Sequence, residues 1–340
     1  MEKINLQEIW SEIEQETNCI NQSGIIKRLI KPELSYKLFL GVEIESSRRI
    51  FLLEAPYKIL RNLDPLPQSN GFEAIIRYIG DEEENFLSVV LIVKNNQYND
   101  LFSSLVWDLL ENIKSSETNK IVNVIIYRLV MWQKFLNQNK LKSLGEKVQR
   151  GLFGELYFLN RLIDYGVNCN YLVDSWGGPE GRIHDFQFED CAVEIKTSTS
   201  KQHQKINISN ERQLDNSQIN NLYLCHFSLD NQSQTGQSLN QIINQIRDKL
   251  LHLPYTLRNF ENKLFEFGYI DIHTKYYEKP HYSVREYNRF KIKEGFPRII
   301  EKDLLEGVGD VKYTIMVSGC KNFSIDEDEI VQLIKEYTNE

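Results

Sequence analysis

Residues 182–196, Arg-Ile-His-Asp-Phe-Gln-Phe-Glu-Asp-Cys-Ala-Val-Glu-Ile-Lys, constrain this chain more tightly than any other stretch. Phe186 and Phe188 alternate with Asp185 and Gln187, and Cys191, Val193 and Ile195 alternate with Ala192, Glu194 and Lys196. Strict alternation is the period of a strand. Glu189-Asp190 between the two runs reads as a two-residue hairpin turn, although without Asn-Gly a longer or bulged turn stays open. A turn at these two positions sets Phe188 against Cys191 and Phe186 against Val193 on an apolar face. It also sets Asp185 directly opposite Glu194 on the other face, with Lys196 beside them. Opposed carboxylates repel unless a cation lies between them. Mg²⁺ takes hard oxygen ligands and is the natural candidate, with Mn²⁺ able to substitute.

The triplet acidic–any–Lys is weak by itself. It recurs at Glu261-Asn262-Lys263 and Asp310-Val311-Lys312, where neither carboxylate has a second one registered against it. Both read as structural, solvated surface pairs. A second feature supports the hairpin site. Ser143-Leu-Gly-Glu146 has the spacing of a capping box, predicting a helix from about Leu144. Leu144, Val148, Leu152, Leu159 and Leu162 form its apolar stripe, and Glu155 lies within that stripe. A carboxylate there is costly to bury unless it is paired or bound to metal. The alternative is a stripe-edge Glu that turns to solvent or meets a buried Arg.

Gln149-Arg-Gly-Leu-Phe-Gly-Glu-Leu156, Asp174-Ser-Trp-Gly-Gly-Pro179, His184-Asp185 and Val193-Glu-Ile-Lys-Thr-Ser198 together resemble a bacterial family of the PD-(D/E)XK nuclease superfamily found among restriction-type defence genes. The resemblance is densest over residues 143–228. It implies an α/β, restriction-endonuclease-like core, a central mixed sheet flanked by helices. It implies Asp185 and Glu194 as metal ligands, Lys196 as the group that orients the attacking water, and Glu155 as an auxiliary acid. His184 stands where the superfamily name has Pro; by register it faces the core opposite Ile195, a structural position.

The chemistry fits those residue types. Hydrolysis of a phosphodiester needs a nucleophile and stabilisation of charge on phosphate, which a carboxylate-held Mg²⁺ and a nearby ammonium supply. Trp176, in a loop with three glycines over 174–181, either stacks on bases or plugs the core edge. Lys201 and Lys205, with His203 between them, either touch phosphates or are solvated. Gln213 is a candidate supporting residue, and Ser209 reads as the N-cap of a short helix. Arg285 and Arg289 sit in a basic stretch interleaved with aromatics that suits nucleic acid as well as it suits a charged strand edge. Lys134, Lys140, Lys142, Lys147 and Arg150 lead into the Glu155 helix; the acidic run 81–84 reads as a solvated loop.

With 340 residues, 41% hydrophobic and 26% charged content, the chain suits two domains or one large one. The division expected is an N-terminal α+β domain over 1–118, used for recognition or partner binding, a linking helix over 119–142, and a nuclease-like domain with a C-terminal elaboration over 143–340. The N-terminal domain is antiparallel and β-rich, with runs at 36–42, 50–54, 73–79 and 86–93. In the second, strands are expected near 206–208, 222–228, 268–272 and 312–317. Five scattered cysteines match neither a disulfide framework nor a zinc spacing. The polar N-terminus is unlike a secretory leader and no apolar run is long enough for a membrane span, so a cytoplasmic protein with no membrane partner is expected. A net charge of −8 weighs mildly against non-specific DNA binding, but the field at a groove matters more than the total. The reading is a Mg²⁺-dependent endonuclease acting on DNA in a restriction or defence system, with other restriction or defence subunits as further partners. The alternatives are a non-catalytic nucleic-acid-binding or assembly subunit and a nuclease acting on RNA.

Overall fold

The computed structural model describes residues 5–17, 20, 23–31, 36–57, 66–79, 86–114, 120–137, 143–231 and 235–337. Lys140, Lys142 and the acidic run 81–84 lie outside them. The chain divides into two compact units, Met1–Lys142 and Ser143–Glu340. Both combine sheets with flanking helices, the first an antiparallel sheet and the second a mixed sheet with a small antiparallel ribbon.

In the first unit, α1 (Leu6–Thr17) precedes β1 (Ile25–Lys31), β2 (Lys37–Glu43), β3 (Arg48–Pro56), β4 (Phe72–Ile79) and β5 (Phe86–Val93). These strands form one antiparallel sheet in the order β1-β2-β3-β5-β4. β1 carries the adjacent charges Lys27 and Arg28 at its centre, which break any alternation and hid it from hydrophobic patterning. Trp10 of α1 is fully buried and donates from Nε1 to the Gly41 carbonyl at 3.2 Å. Two helices follow, α2 (Asn99–Lys114) and α3 (Ile121–Asn137). Asp108 of α2 takes both the Arg128 guanidinium at 2.6 Å and the Trp132 indole at 3.0 Å. The helix expected to link two domains is therefore packed within the first unit.

The second unit opens with α4 (Glu146–Asp164) and α5 (Cys169–Ser175). The expected capping box is absent: helix α4 starts at Glu146 with Gly145 as an N-cap that makes no side-chain bond. β6 (Phe186–Gln187), β7 (Cys191–Ser198) and β9 (Asn221–Asp230) are joined by β10 (Ser283–Lys291) into a mixed sheet in the order β10-β9-β7-β6. β6 and β10 run antiparallel to their neighbours, and β7 and β9 run parallel. The strand near 206–208 exists as β8 (Lys205–Ile208), but it pairs with β11 (Tyr313–Met316) in a separate two-stranded ribbon. Residues 268–272 form no strand. They follow α7 (Pro254–Phe267), which ends on Gly268 in the left-handed region at φ 107°, and lead into a 3₁₀ turn from Asp271. Pro at the start and Gly just past the end are the marks of such a helix. α6 (Leu239–Leu250) lies against α4, and α8 (Glu327–Glu336) closes the unit.

β7 is covered on both faces, although Glu194 and Lys196 alternate with its apolar residues. Val193 and Ile195 face a core with Leu152, Leu156, Leu159 and Phe227. Ala192 faces a second core with Ile206, Leu214, Leu224 and Phe290. Helix α4 approaches β7 closely at Gly154, where a Cβ would collide with the Thr197 methyl. Parallel strands need a crossover of a dozen or more residues, usually helical. Here residues 199–220 make it with β8 and a 3₁₀ turn at Glu211–Leu214, and that turn carries Gln213 back to Lys196.

Candidate active site

The hairpin has the register read from the sequence. Phe186 pairs with Val193 and Gln187 with Ala192, and the Phe188 amide donates to the Cys191 carbonyl at 2.8 Å across Glu189-Asp190. The ladder stops after Phe186. The Asp185 side chain turns inward, and its Oδ2 accepts the Ile195 amide at 2.7 Å. Its carbonyl accepts the amides of Gly177 at 2.8 Å and Gly178 at 3.2 Å, so the glycine loop is stitched to the start of the strand.

Glu194 is 1% exposed. Lys196 Nζ lies 2.5 Å from its Oε1, while no hydrogen bond of ordinary geometry reaches either oxygen. Gln213 Oε1 accepts from Lys196 Nζ at 3.1 Å and from the Ser209 amide at 2.8 Å. It therefore gives the ammonium a second partner beside Glu194. Glu155, 8% exposed on α4, receives the Trp176 indole N–H on Oε2 at 2.8 Å. It faces Asp185, Glu194 and Lys196 closely enough for all three to act on its charge. Val148, expected on the same stripe, is exposed; the buried face runs through Gln149, Leu152, Glu155, Leu156 and Leu159.

Burial raises all three carboxyls. Glu155 stands well above its ordinary value through burial, then through Asp185. Burial pushes Glu194 to about 8, with Asp185 adding to it and Lys196 opposing. Asp185 is raised by burial against the pull of Lys196 and the Ile195 amide. Burial would lower Lys196, but Glu194 and Asp185 outweigh it, so the ammonium keeps its proton. Like charges held in low dielectric cannot all ionise without added positive charge.

Among the described residues, no group of three or more His, Cys, Asp or Glu is already arranged around a cation position. Lys196 and the Ile195 amide occupy oxygens that a metal would take. The donor set nonetheless suits a hard divalent cation: three carboxylates, two of them almost fully buried, with Glu194 Oε2 free of any ion pair among the described residues.

The other positions named from sequence divide clearly. Trp176 is fully buried and cannot stack on a base; its value is the bond to Glu155. Lys201 and Lys205 are exposed. Arg285 is committed to the carbonyls of Thr199, Ser200 and Leu229, and Arg289 to the Ile325 carbonyl and the Tyr287 ring. Both tie down loops instead of presenting a free cationic face. His184 is buried but does not sit across from Ile195 in the ladder, whose next amide Asp185 has taken. It bonds to the Gln213 backbone, leaves Nε2 without a partner, and burial lowers it to about 4. The cap of the 3₁₀ turn is Asn210, not Ser209.

Sequence reasoning missed Lys263. It is 5% exposed, far from a solvated pair, and its Nζ lies 2.7 Å from Glu180 Oε1 and 2.5 Å from the Trp176 carbonyl. Its neighbours on α7, Thr256, Phe260 and Leu264, are buried, so the stripe logic that singled out Glu155 applies to it equally.

Gly178 is the tightest point of the site, since a Cβ there would collide with Glu155 Oε2. Gly178→Ala is expected to displace that carboxylate and to weaken Mn²⁺ binding about tenfold, the loss typical when a ligand's support is disturbed. Titration of Mn²⁺ into the variant measures it; an unchanged affinity would remove Glu155 from the ligand set.

A family model described as "Putative PD-(D/E)XK family member (DUF4420)" matches residues 6–318, a span that includes most of both units. No curated protein and no solved structure matches the chain.

Proposed function

The chain belongs to that DUF4420 family, whose description suggests a nuclease, and from this premise we propose a metal-dependent endonuclease that hydrolyses phosphodiester bonds in DNA. We place it in the cytoplasm, in a bacterial restriction or defence setting, with a restriction-endonuclease-like core in the second unit and DNA and other defence subunits as partners. The observation that supports this reading best is Glu194, an almost fully buried carboxylate set beside Asp185 whose Oε2 has no ion pair among the described residues. Burying such a group without compensation costs several kcal/mol, and a bound Mg²⁺ or Mn²⁺ would remove that cost.

Glu194, Asp185 and Glu155 are the residues that would hold the ion. When bound it would supply a Lewis acid toward a phosphoryl oxygen and acidify a nearby water. Lys196 stays protonated beside Glu194 and offsets charge that develops on the phosphate. Gln213 keeps the ammonium from swinging away. Trp176 holds the Glu155 carboxylate by one oxygen and leaves the other for the site. No helix among the described residues is long and apolar enough to cross a membrane, and the four described cysteines are free, which is consistent with a reducing compartment.

The test is a cleavage assay of the purified full chain on plasmid DNA and on a structured RNA, side by side, with Mg²⁺, Mn²⁺ or EDTA. Metal-dependent nicking of DNA in preference to RNA is expected. DNA binding without cleavage in either metal would favour the assembly-subunit reading, and preferential cleavage of RNA would replace the substrate.

A further inference from the structure

We propose that Lys263 is a positioning residue for the carboxylate cluster, acting through the glycine loop; this rests on the reading of that cluster as a metal site. Three of the attachments of the loop over 174–181 bear on the carboxylate cluster, beside the Asn259 bond to Asp174 and the Arg182 pair with Glu180. Lys263 anchors it from α7, with Nζ bonded to the Trp176 carbonyl at 2.5 Å, to the Asp174 carbonyl at 3.1 Å and to Glu180 Oε1 at 2.7 Å. The Trp176 indole passes the constraint to Glu155 Oε2 at 2.8 Å. The amides of Gly177 and Gly178 pass it to the Asp185 carbonyl.

One buried ammonium therefore makes three of the contacts that hold the segment orienting two of the three carboxylates. Lys263 reaches neither acid itself. Its reach to the cluster runs through a ring fully enclosed in the core, packed at a tilt against Phe260 on the same helix as Lys263, so the loop cannot slide without moving the indole. Groups that hold a ligand from behind typically change metal affinity 10- to 100-fold when they are removed.

The experiment uses the full chain at one fixed pH, with Mn²⁺ affinity as one readout. The other is the Trp176 indole N–H resonance in metal-free protein, assigned by its disappearance in Trp176→Phe. Lys263→Met is expected to weaken Mn²⁺ binding about tenfold and to shift the indole resonance, with Lys263→Arg recovering most of both. Glu194→Gln serves as the control on the metal reading. If Glu194→Gln loses Mn²⁺ and Lys263→Met does not, the role of Lys263 is overturned and the metal site stands. If the parent and Glu194→Gln bind Mn²⁺ alike, the metal reading falls, and the indole resonance alone decides whether Lys263 positions Trp176. Should Lys263→Met fail to fold, Glu180→Gln removes the only carboxylate paired with Lys263 among the described residues, from a half-exposed position. It is then expected to move both readouts in the same direction by a smaller amount, and no movement in either overturns the proposal.

Discussion

Glu194→Gln is expected to lose divalent-metal binding and cleavage together, whereas Lys196→Ala loses cleavage and keeps the metal. Glu194 offers a buried carboxylate whose Oε2 has no ion pair among the described residues, and an amide in its place brings a neutral, weaker donor. Lys196 contributes no ligand atom. Removing its charge takes away stabilisation of the developing phosphate charge, a loss of about 10²–10³-fold in rate for a single electrostatic group. Asp185→Ala should resemble Glu194→Gln, with an added loss of stability because the Ile195 amide loses its acceptor. Plasmid nicking rates beside Mn²⁺ titrations separate the two classes. Full activity in Lys196→Ala or Asp185→Ala would show the site to be wrongly assigned.

Without metal, the protein is expected to lose about 2 kcal/mol of stability between pH 6.5 and pH 8. Glu194 is raised from 4.5 to about 8 in the native state. Between those values the folded chain keeps a proton that the unfolded chain has released, so stability falls as pH rises through the window. Glu155 and Asp185 are raised and act in the same direction. His184 and His226 oppose them at the acid end. Burial lowers both from 6.5 to about 4, so they add stability as pH rises to about 6.5 and then stop. Above that, the carboxylates act alone, at about 1.4 kcal/mol per pH unit for a single group. Urea midpoints at pH 6.5 and 8 in EDTA measure the fall, which Mn²⁺ should reverse at pH 8 and Glu194→Gln should flatten. A midpoint that rises over this interval would contradict a buried, mutually repelling cluster.

Much of the site was legible because its logic is local. The hairpin register follows from alternation over a few residues on either side of Glu189-Asp190, and Glu155 follows from one charge on one apolar stripe. What sequence could not give was long-range. Nothing in residues 205–208 announces that their partner is 313–316 instead of β7. The basic residues of β10 read as a nucleic-acid surface because pattern records charge but not the carbonyls that Arg285 and Arg289 grip. A tryptophan in a glycine loop is equally suited to a base and to a core, and only burial decides. Lys263 differs, since its position between Phe260 and Leu264 was visible. The triplet Glu261-Asn262-Lys263 resembles a surface pair, whereas the helix face shared with Phe260 and Leu264 marks Lys263 as buried.

The early end of β6 has a consequence beyond chemistry. Beyond Val193, β7 is an edge: its next outward amide belongs to Ile195, and no strand takes it. An open, apolar strand edge is a template on which another chain can add itself and begin to aggregate. Asp185 closes that edge with a carboxylate instead of a backbone carbonyl. An inward-turned charge is one of the few devices that satisfies an edge while repelling an incoming strand. The residue proposed to bind the ion thus also occupies the stretch of strand edge that β6 leaves uncovered.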